Sequence, residues 1–371
     1  MRDVSALRTS SALALLTFPL LAACGVLLGI SDEPPAPPVV DGGSKDEASA
    51  PLEAGLEASD ASMPDACAMP ATCAPEQLTT LSGSVIRLVA TGNALYAAVS
   101  GAQASVFRID LASPQAPLDL DPAGVVPEEF RADSNIAVDP TGVVFWGTAN
   151  GLRRRDADAG AGASNDAGLT TMSELGAPVA GVRIADGRLH YTVAGPNGGA
   201  GINTGHLASC ALPLCTDVQQ ISYTTSPIDV IAIGSNRWWL GTDATLSNLR
   251  FRSVSGPIGP EELSPSRMVT DGARIFWSTS DALRMFTIAT SELVDLMPAG
   301  STTRVNGIVL DTDGTLYVTQ DKAVKRCTIT AQKCAFTELA STGSQAIDVA
   351  LDATFLYWGN LDGSVLRLRK R

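Results

Sequence analysis

Histidine is nearly missing from this chain: 371 residues hold only two, His190 and His206. Metal sites and nucleophilic triads built on imidazole have almost nothing to work with. Positive charge is also scarce, 26 Lys and Arg against 39 Asp and Glu, for a net charge of −13. That balance excludes a nucleic-acid partner, because phosphate contacts need a clustered basic surface. It also excludes a polybasic membrane-binding face. No C-x-x-C occurs, which removes the common zinc and thiol-redox spacings. Residues 67–371 carry no sustained helical periodicity, so helices are not expected there. The N-terminal apolar run, Ala12 to Ala23, is too short to span a bilayer.

Arg2 and Arg8 precede that run and small residues end it, the layout of a secretory signal over residues 1–23. The stretch Leu21-Ala22-Ala23-Cys24 resembles a bacterial lipobox. The resemblance implies cleavage before Cys24 and its acylation, hence attachment to a membrane through an N-terminal lipid. Each buried CH₂ of such chains contributes about 0.8 kcal/mol, and more than one chain makes anchoring stable. Gly25 stands where Asp would imply inner-membrane retention, so the resemblance places the protein in the cell envelope. The expected location is the outer membrane, facing periplasm or cell surface. Residues 24–66 contain no aromatic residue and no Arg, and hold nine carboxylates against Lys45. Such a segment buries too little apolar surface to offset its ordering entropy and reads as an acidic, Pro/Ala-rich, disordered tether. More than half of the net charge belongs to this tether rather than to residues 67–371.

Six further cysteines form three close pairs: Cys67 and Cys73, Cys210 and Cys215, Cys327 and Cys334. In a secreted chain an even count points to disulfides, and local pairing is the simplest connectivity.

Self-comparison is the most informative step. A polar residue, an apolar strand, an Asp/Gly turn and a strand ending in aromatics recur from Val85 to Tyr96, Asn135 to Trp146, Val182 to Tyr191, Asp229 to Trp239, Arg267 to Trp277, Asn306 to Tyr317 and Asp348 to Trp358. The kinship is plainest in AVDPTGVVFWGT (137–148), VTDGARIFWST (269–279) and ALDATFLYWGN (350–360). With Tyr96, Phe145, His190, Trp238, Phe276, Tyr317 and Tyr357 as anchors, the spacing runs from 38 to 49 residues, close to the length of a four-stranded propeller blade. The seventh copy stops after a third strand at Val365–Arg371. The segment from Cys67 to Leu81, ahead of the first copy, parallels the Cys327–Ala340 stretch and supplies a strand for the gap. The fold class expected for residues 67–371 is therefore all-β: a seven-bladed β-propeller, its last blade closed by residues 76–81 pairing beside 364–369. The stretches VDPTGVVFW (138–146) and LDATFLYWGNLDGSVLRL (351–368) resemble the YWTD/NHL-like group of propellers, a group whose fold hosts both enzymes and binding modules.

Asp139, Asp186, Asp271 and Asp352 sit in the recurring turns, where a carboxylate bonds nearby backbone amides. At the entry of the inner strands lie Asn135, Asp229, Arg267, Asn306 and Asp348. Propeller lactonases hold a divalent cation at this level, so Asn135, Asp229, Asn306 and Asp348 form a possible pore site, with Arg267 as a competing partner of the carboxylates. Asp156-Ala-Asp158 begins like a calcium loop but has Ala167 where a bidentate Glu is required; it reads as a low-complexity insertion. Gly195–Gly205 lacks the strand–helix setting of a phosphate loop. No catalytic residue, cofactor or metal is expected from these patterns. The expected function is a non-catalytic, monomeric, lipid-anchored module that binds or scaffolds an unknown protein, peptide or glycan. A lactonase-like hydrolase with a metal in the central pore is the alternative, and an envelope-assembly scaffold is a third reading.

Overall fold

The computed structural model describes residues 74–101, 104–121, 135–156, 170–172, 177–193, 205–215, 217–224, 226–242, 249–253, 256–262, 267–279, 282–297, 304–330 and 333–370. The signal segment, Cys24, the tether, Cys67, Cys73, the 157–168 insertion and most of Gly195–Gly205 lie outside the described residues.

The chain is an all-β propeller, with no helix among the described residues. The strands form seven four-stranded antiparallel sheets, numbered here in chain order by their inner strands: Ser84–Thr91, Ile136–Val138, Val179–Ala185, Ser226–Ile233, Met268–Thr270, Val305–Leu310 and Ala346–Leu351. The second strands, Ala94–Ser100, Val143–Thr148, Arg188–Val193, Asn236–Thr242, Arg274–Ser278, Leu316–Gln320 and Phe355–Asn360, each contain one of the repeat anchors. Sheets 1 to 6 are completed by their own third and fourth strands. Sheet 7 takes its outer strand from the N-terminal side: Glu76–Thr80 pairs antiparallel with Ser364–Arg369, Glu76 opposite Arg367 and Thr80 opposite Ser364.

Inner strands of consecutive sheets lie against one another, and Ala346–Leu351 lies against Ser84–Thr91, so the last sheet meets the first. The core therefore lies between sheets. Leu78 and Leu81 of the N-terminal segment enter the cluster joining sheets 7 and 1, with Val85, Leu88, Tyr357 and Val365. Leu78 is fully buried, a contribution of roughly 2 kcal/mol to holding this strand in place. Glu76 and Arg367 add a forked ion pair at 2.8 and 3.1 Å on the exposed side.

The turn aspartates behave as the sequence suggests in three cases. Asp139 accepts from the amides of Thr141 and Val143, Asp271 from Ala273 and Arg274, and Asp352 from Thr354 and Phe355, at 2.6–3.0 Å. Asp186 differs. It adopts a left-handed backbone, φ 52°, followed by Gly187 at 70°, the conformation of a tight two-residue hairpin. Two disulfides are present, Cys210–Cys215 and Cys327–Cys334, with Cα separations of 4.7 and 5.3 Å. Both fall inside the usual range of roughly 4.4–6.8 Å. The second bridges the third and fourth strands of sheet 6, Ala323–Thr330 and Lys333–Ser341.

Candidate functional site: the inner-strand ring

The inner strands of sheets 1, 3, 4, 6 and 7 all shift register near their start. A bulge of this kind turns the next residue out of the regular alternation. One level of the ring is occupied by Arg87, Gly181, Asp229, Gly307 and Asp348 at these bulges, and by Asn135 and Arg267 immediately before the inner strands of sheets 2 and 5. Two of these seven are carboxylates, and both are buried.

Asp229 is satisfied by four donors. Its Oδ1 accepts from the Val230 amide at 2.9 Å and from Asn135 Nδ2 at 3.1 Å; its Oδ2 accepts from the Met268 amide at 2.8 Å and from Arg183 at 3.1 Å. Those partners come from sheets 2, 3, 4 and 5. Asp348 accepts from the Leu88 amide at 2.8 Å and from the Arg267 guanidinium at 2.9 and 3.2 Å, tying sheet 7 to sheets 1 and 5. Each carboxylate thus bonds the inner-strand amide of the following sheet. Each also rests on a glycine of the preceding sheet. A Cβ on Gly181 would come within 2.7 Å of Asp229 Cα, and one on Gly307 within 2.7 Å of Asp348 Cα. Buried charges persist only when paired and hydrogen-bonded, and these two are.

The four pore residues singled out from the sequence are therefore not one ligand set. Asn135 and Asp229 meet, and Asn135 Oδ1 also accepts from Arg87 Nε at 2.8 Å. Asp348 is engaged by Arg267 instead. Asn306 donates from Nδ2 to the Ala346 carbonyl at 2.7 Å, a seam between sheets 6 and 7. Among the described residues, no group of three or more His, Cys, Asp or Glu side chains could hold a metal ion. Guanidinium groups stand where a cation would compensate the carboxylates. Arg87 and Arg183 were not nominated by the sequence. The signal that marks Arg183 is its register, since it occupies the position opposite the anchor, which is apolar in the other six sheets; Arg87 shares the strand-entry level of Asp229, Arg267 and Asp348.

Beside this network lies a cleft of about 190 Å³, lined by Val89, Ile136 and Val182 on its apolar side and by Asn135, Arg183 and Arg267 on its polar side. Arg183 also donates to the Met268 carbonyl. The Nε atoms of Arg183 and Arg267 are buried and have no hydrogen-bond partner among the described residues.

The neighbouring interface between sheets 3 and 4 is unlike the others. Among the described residues its apolar cluster consists of Leu207, Val230 and Trp239. The anchor position, aromatic in the other six sheets, is here His190, directly opposite Arg183 on the adjacent strand. His190 is fully buried, and among the described residues neither ring nitrogen has a hydrogen-bond partner of ordinary geometry. Burial drives its pKa down from 6.5 to about 4; the charges of Arg237 and Arg188 add to that effect and the Ala185 backbone opposes it. The imidazole is neutral at physiological pH.

The sequence matches no protein-family model and no curated protein. Solved structures match over most of the chain. A streptogramin B lyase gives a TM-score of 0.57 at 10% identity, covering 79% of this chain and 96% of its own. The WD40 propeller domain of Doa1 gives 0.59 at 11%, covering 81% and 98%. The extracellular domain of a hybrid two-component system from B. thetaiotaomicron gives 0.57 at 11%, covering 80% of this chain and 40% of the other. At such identities the likeness shows the fold alone, a β-propeller.

Proposed function

We propose that this chain is a non-catalytic, lipid-anchored protein of the bacterial cell envelope whose propeller, a seven-bladed ring closed by its N-terminal strand, acts as a binding or scaffold module for a protein, peptide or glycan. The observation that carries the reading is the state of the ring carboxylates. Asp229 and Asp348 are already committed to amides and guanidinium groups, which leaves them unsuited to act as a general base or as ligands of a hard cation. A concave cleft with a few polar groups beside such a rigid network is what a recognition site requires. The propeller fold itself is neutral on function, since its structural neighbours include a lyase, a WD40 domain and the extracellular domain of a two-component system.

The anchor and the module are tested together. In a host that processes lipoproteins, the chain should incorporate a fatty-acid analogue and sediment with membranes, and Cys24→Ser should abolish both. Purified protein should not turn over aliphatic or aromatic lactones with or without added Ca²⁺. Label-free, soluble wild-type protein refutes the anchor, and Ca²⁺-dependent lactone hydrolysis refutes the non-catalytic reading.

A further inference from the structure

We propose that the loop between the third and fourth strands of sheet 3 rests on the lipid bilayer that anchors the chain, with Leu214 as the inserting side chain. The proposal rests on the reading of Cys24 as a lipid anchor and assigns the propeller a membrane side. Among the described residues three large apolar side chains are exposed: Leu214 at 65%, Leu361 at 50% and Val218 at 43%. Exposed apolar groups scattered singly are ordinary. Two of these three share one loop, which joins Gly205–Ala211 to Gln219–Thr224, and Pro213 beside Leu214 is exposed as well.

The loop is held in place. The Cys210–Cys215 disulfide closes its base, and the Cys215 amide donates to the Ala211 carbonyl at 2.9 Å. The Asp217 carboxylate accepts from the Ala211 amide at 2.5 Å and from Arg188 at 3.0 Å. A fixed apolar tip has already lost the conformational freedom that binding would otherwise cost. Arg188 and Asp217 cancel in charge beside it, which suits a zwitterionic headgroup layer. The net charge of −13 offers no attraction to an anionic one.

The same end of the propeller receives the tether. The inner strands begin at one level, since Asp229 bonds the Met268 amide and Asp348 the Leu88 amide of the following sheet. The Asp/Gly turns that end those strands therefore lie together at the opposite end. Leu212 donates from its amide to the Gly187 carbonyl at 3.2 Å, which puts the Leu214 loop at the turn end. Glu76 stands opposite Arg367, and the Lys370 amide donates to the Thr354 carbonyl in the sheet 7 turn at 2.8 Å. The chain thus enters its first strand at the turn end too. Leu361 lies at the other end, where its carbonyl accepts from Ser84 at the start of the first inner strand. A tether turns the end it joins toward its anchor. The 49 residues between Cys24 and Ala74 reach about 40 Å as a flexible coil, and tethering makes a weak contact intramolecular, at an effective concentration of millimolar order. A few apolar side chains suffice under that condition.

The test uses the acylated full chain in vesicles of phosphatidylcholine and phosphatidylethanolamine, isolated by flotation. All five native tryptophans are buried, so an added one reports on bilayer contact. Leu214→Trp should be quenched by brominated phospholipid and shift its emission to the blue. Leu361→Trp, the same substitution at the other end, should do neither. In the unsubstituted chain, hydrogen exchange of amides 207–215 should slow at least about threefold on vesicles relative to the Cys24→Ser chain in solution. Leu214→Ser, which touches only an exposed side chain, should remove that slowing. Floated Leu214→Trp protein without quenching overturns the proposal and leaves the anchor intact. So does equal quenching at 214 and 361, or exchange unmoved by Leu214→Ser. Light scattering that shows the Cys24→Ser chain as a dimer, turned monomeric by Leu214→Ser, makes the tip a contact between copies and overturns it as well. Failure of the unsubstituted chain to float removes the anchor reading itself, and the proposal with it.

Discussion

Acidification should weaken this propeller through one residue. His190 is fully buried and its pKa falls from 6.5 to about 4. In the unfolded chain the imidazole takes a proton near pH 6.5, while the folded protein refuses it until about pH 4. Between these values the unfolded state binds more protons, so stability rises with pH across the window. The contribution is complete above pH 6.5 and is lost as pH falls toward 4. At 1.36 kcal/mol per unit the full effect is about 3 kcal/mol, and about 2 kcal/mol of it is lost by pH 5. Carboxylates titrate in the same range, so the quantity to measure is a difference between proteins. Urea unfolding of the Cys24→Ser chain at pH 7.5, 6, 5 and 4.5 should be compared with the same chain carrying His190→Gln or His190→Phe. His190→Gln keeps a polar group without a charge change, and His190→Phe restores the aromatic found in the other six sheets. Both should lose the extra acid sensitivity, so the gap between wild type and variant should shift by about 2 kcal/mol between pH 7.5 and 5. Parallel pH profiles in all three proteins would refute the reasoning.

Further outcomes follow from the ring and its seats. Asp348→Ala strands Arg267 and the Leu88 amide and should cost about 3–5 kcal/mol in urea unfolding, whereas Asp348→Asn keeps an acceptor and should cost less. Gly307→Ala forces a Cβ to within 2.7 Å of the Asp348 backbone and should cost roughly 1–3 kcal/mol. Gly343→Ala, with no atom within 4 Å, should be near neutral in the same melts. Peptide mapping without reduction should recover Cys210–Cys215 and Cys327–Cys334 each within one peptide, and Cys67–Cys73 likewise. Removing a single bridge should cost modestly, because short loops restrain the unfolded chain least.

Much of the architecture was legible because it is local. The Asp/Gly turns and aromatic anchors recur at blade-like spacing, and the second strands contain those anchors. The likeness of the N-terminal cysteine segment to Cys327–Ala340 pointed to Glu76–Thr80 as the strand beside Ser364–Arg369. The ring was legible only in part. Asp229 and Asp348 were identifiable as polar residues at strand entries, but their partners are set by closure of the ring rather than by spacing. Asn135 meets Asp229 across 94 residues and Arg267 meets Asp348 across 81. Nothing within a single repeat copy encodes such pairings, and so a metal set and a self-paired network looked alike. His190 was placed correctly as an anchor. Its low pKa depends in part on the charge of Arg237 in the next sheet, which no local pattern brings to it.

The central claim is that residues 76–80 complete sheet 7 and lock the last sheet to the first. Two chains test it, one beginning at Ala66 and one at Ser84, unfolded side by side in urea. The first loses only the tether and should unfold cooperatively with the midpoint of the full chain. The second loses Leu78, Leu81 and the strand covering Ser364–Arg369, leaving an open edge that invites aggregation; it should precipitate or unfold at markedly lower urea. Equal midpoints for the two chains would contradict the closure.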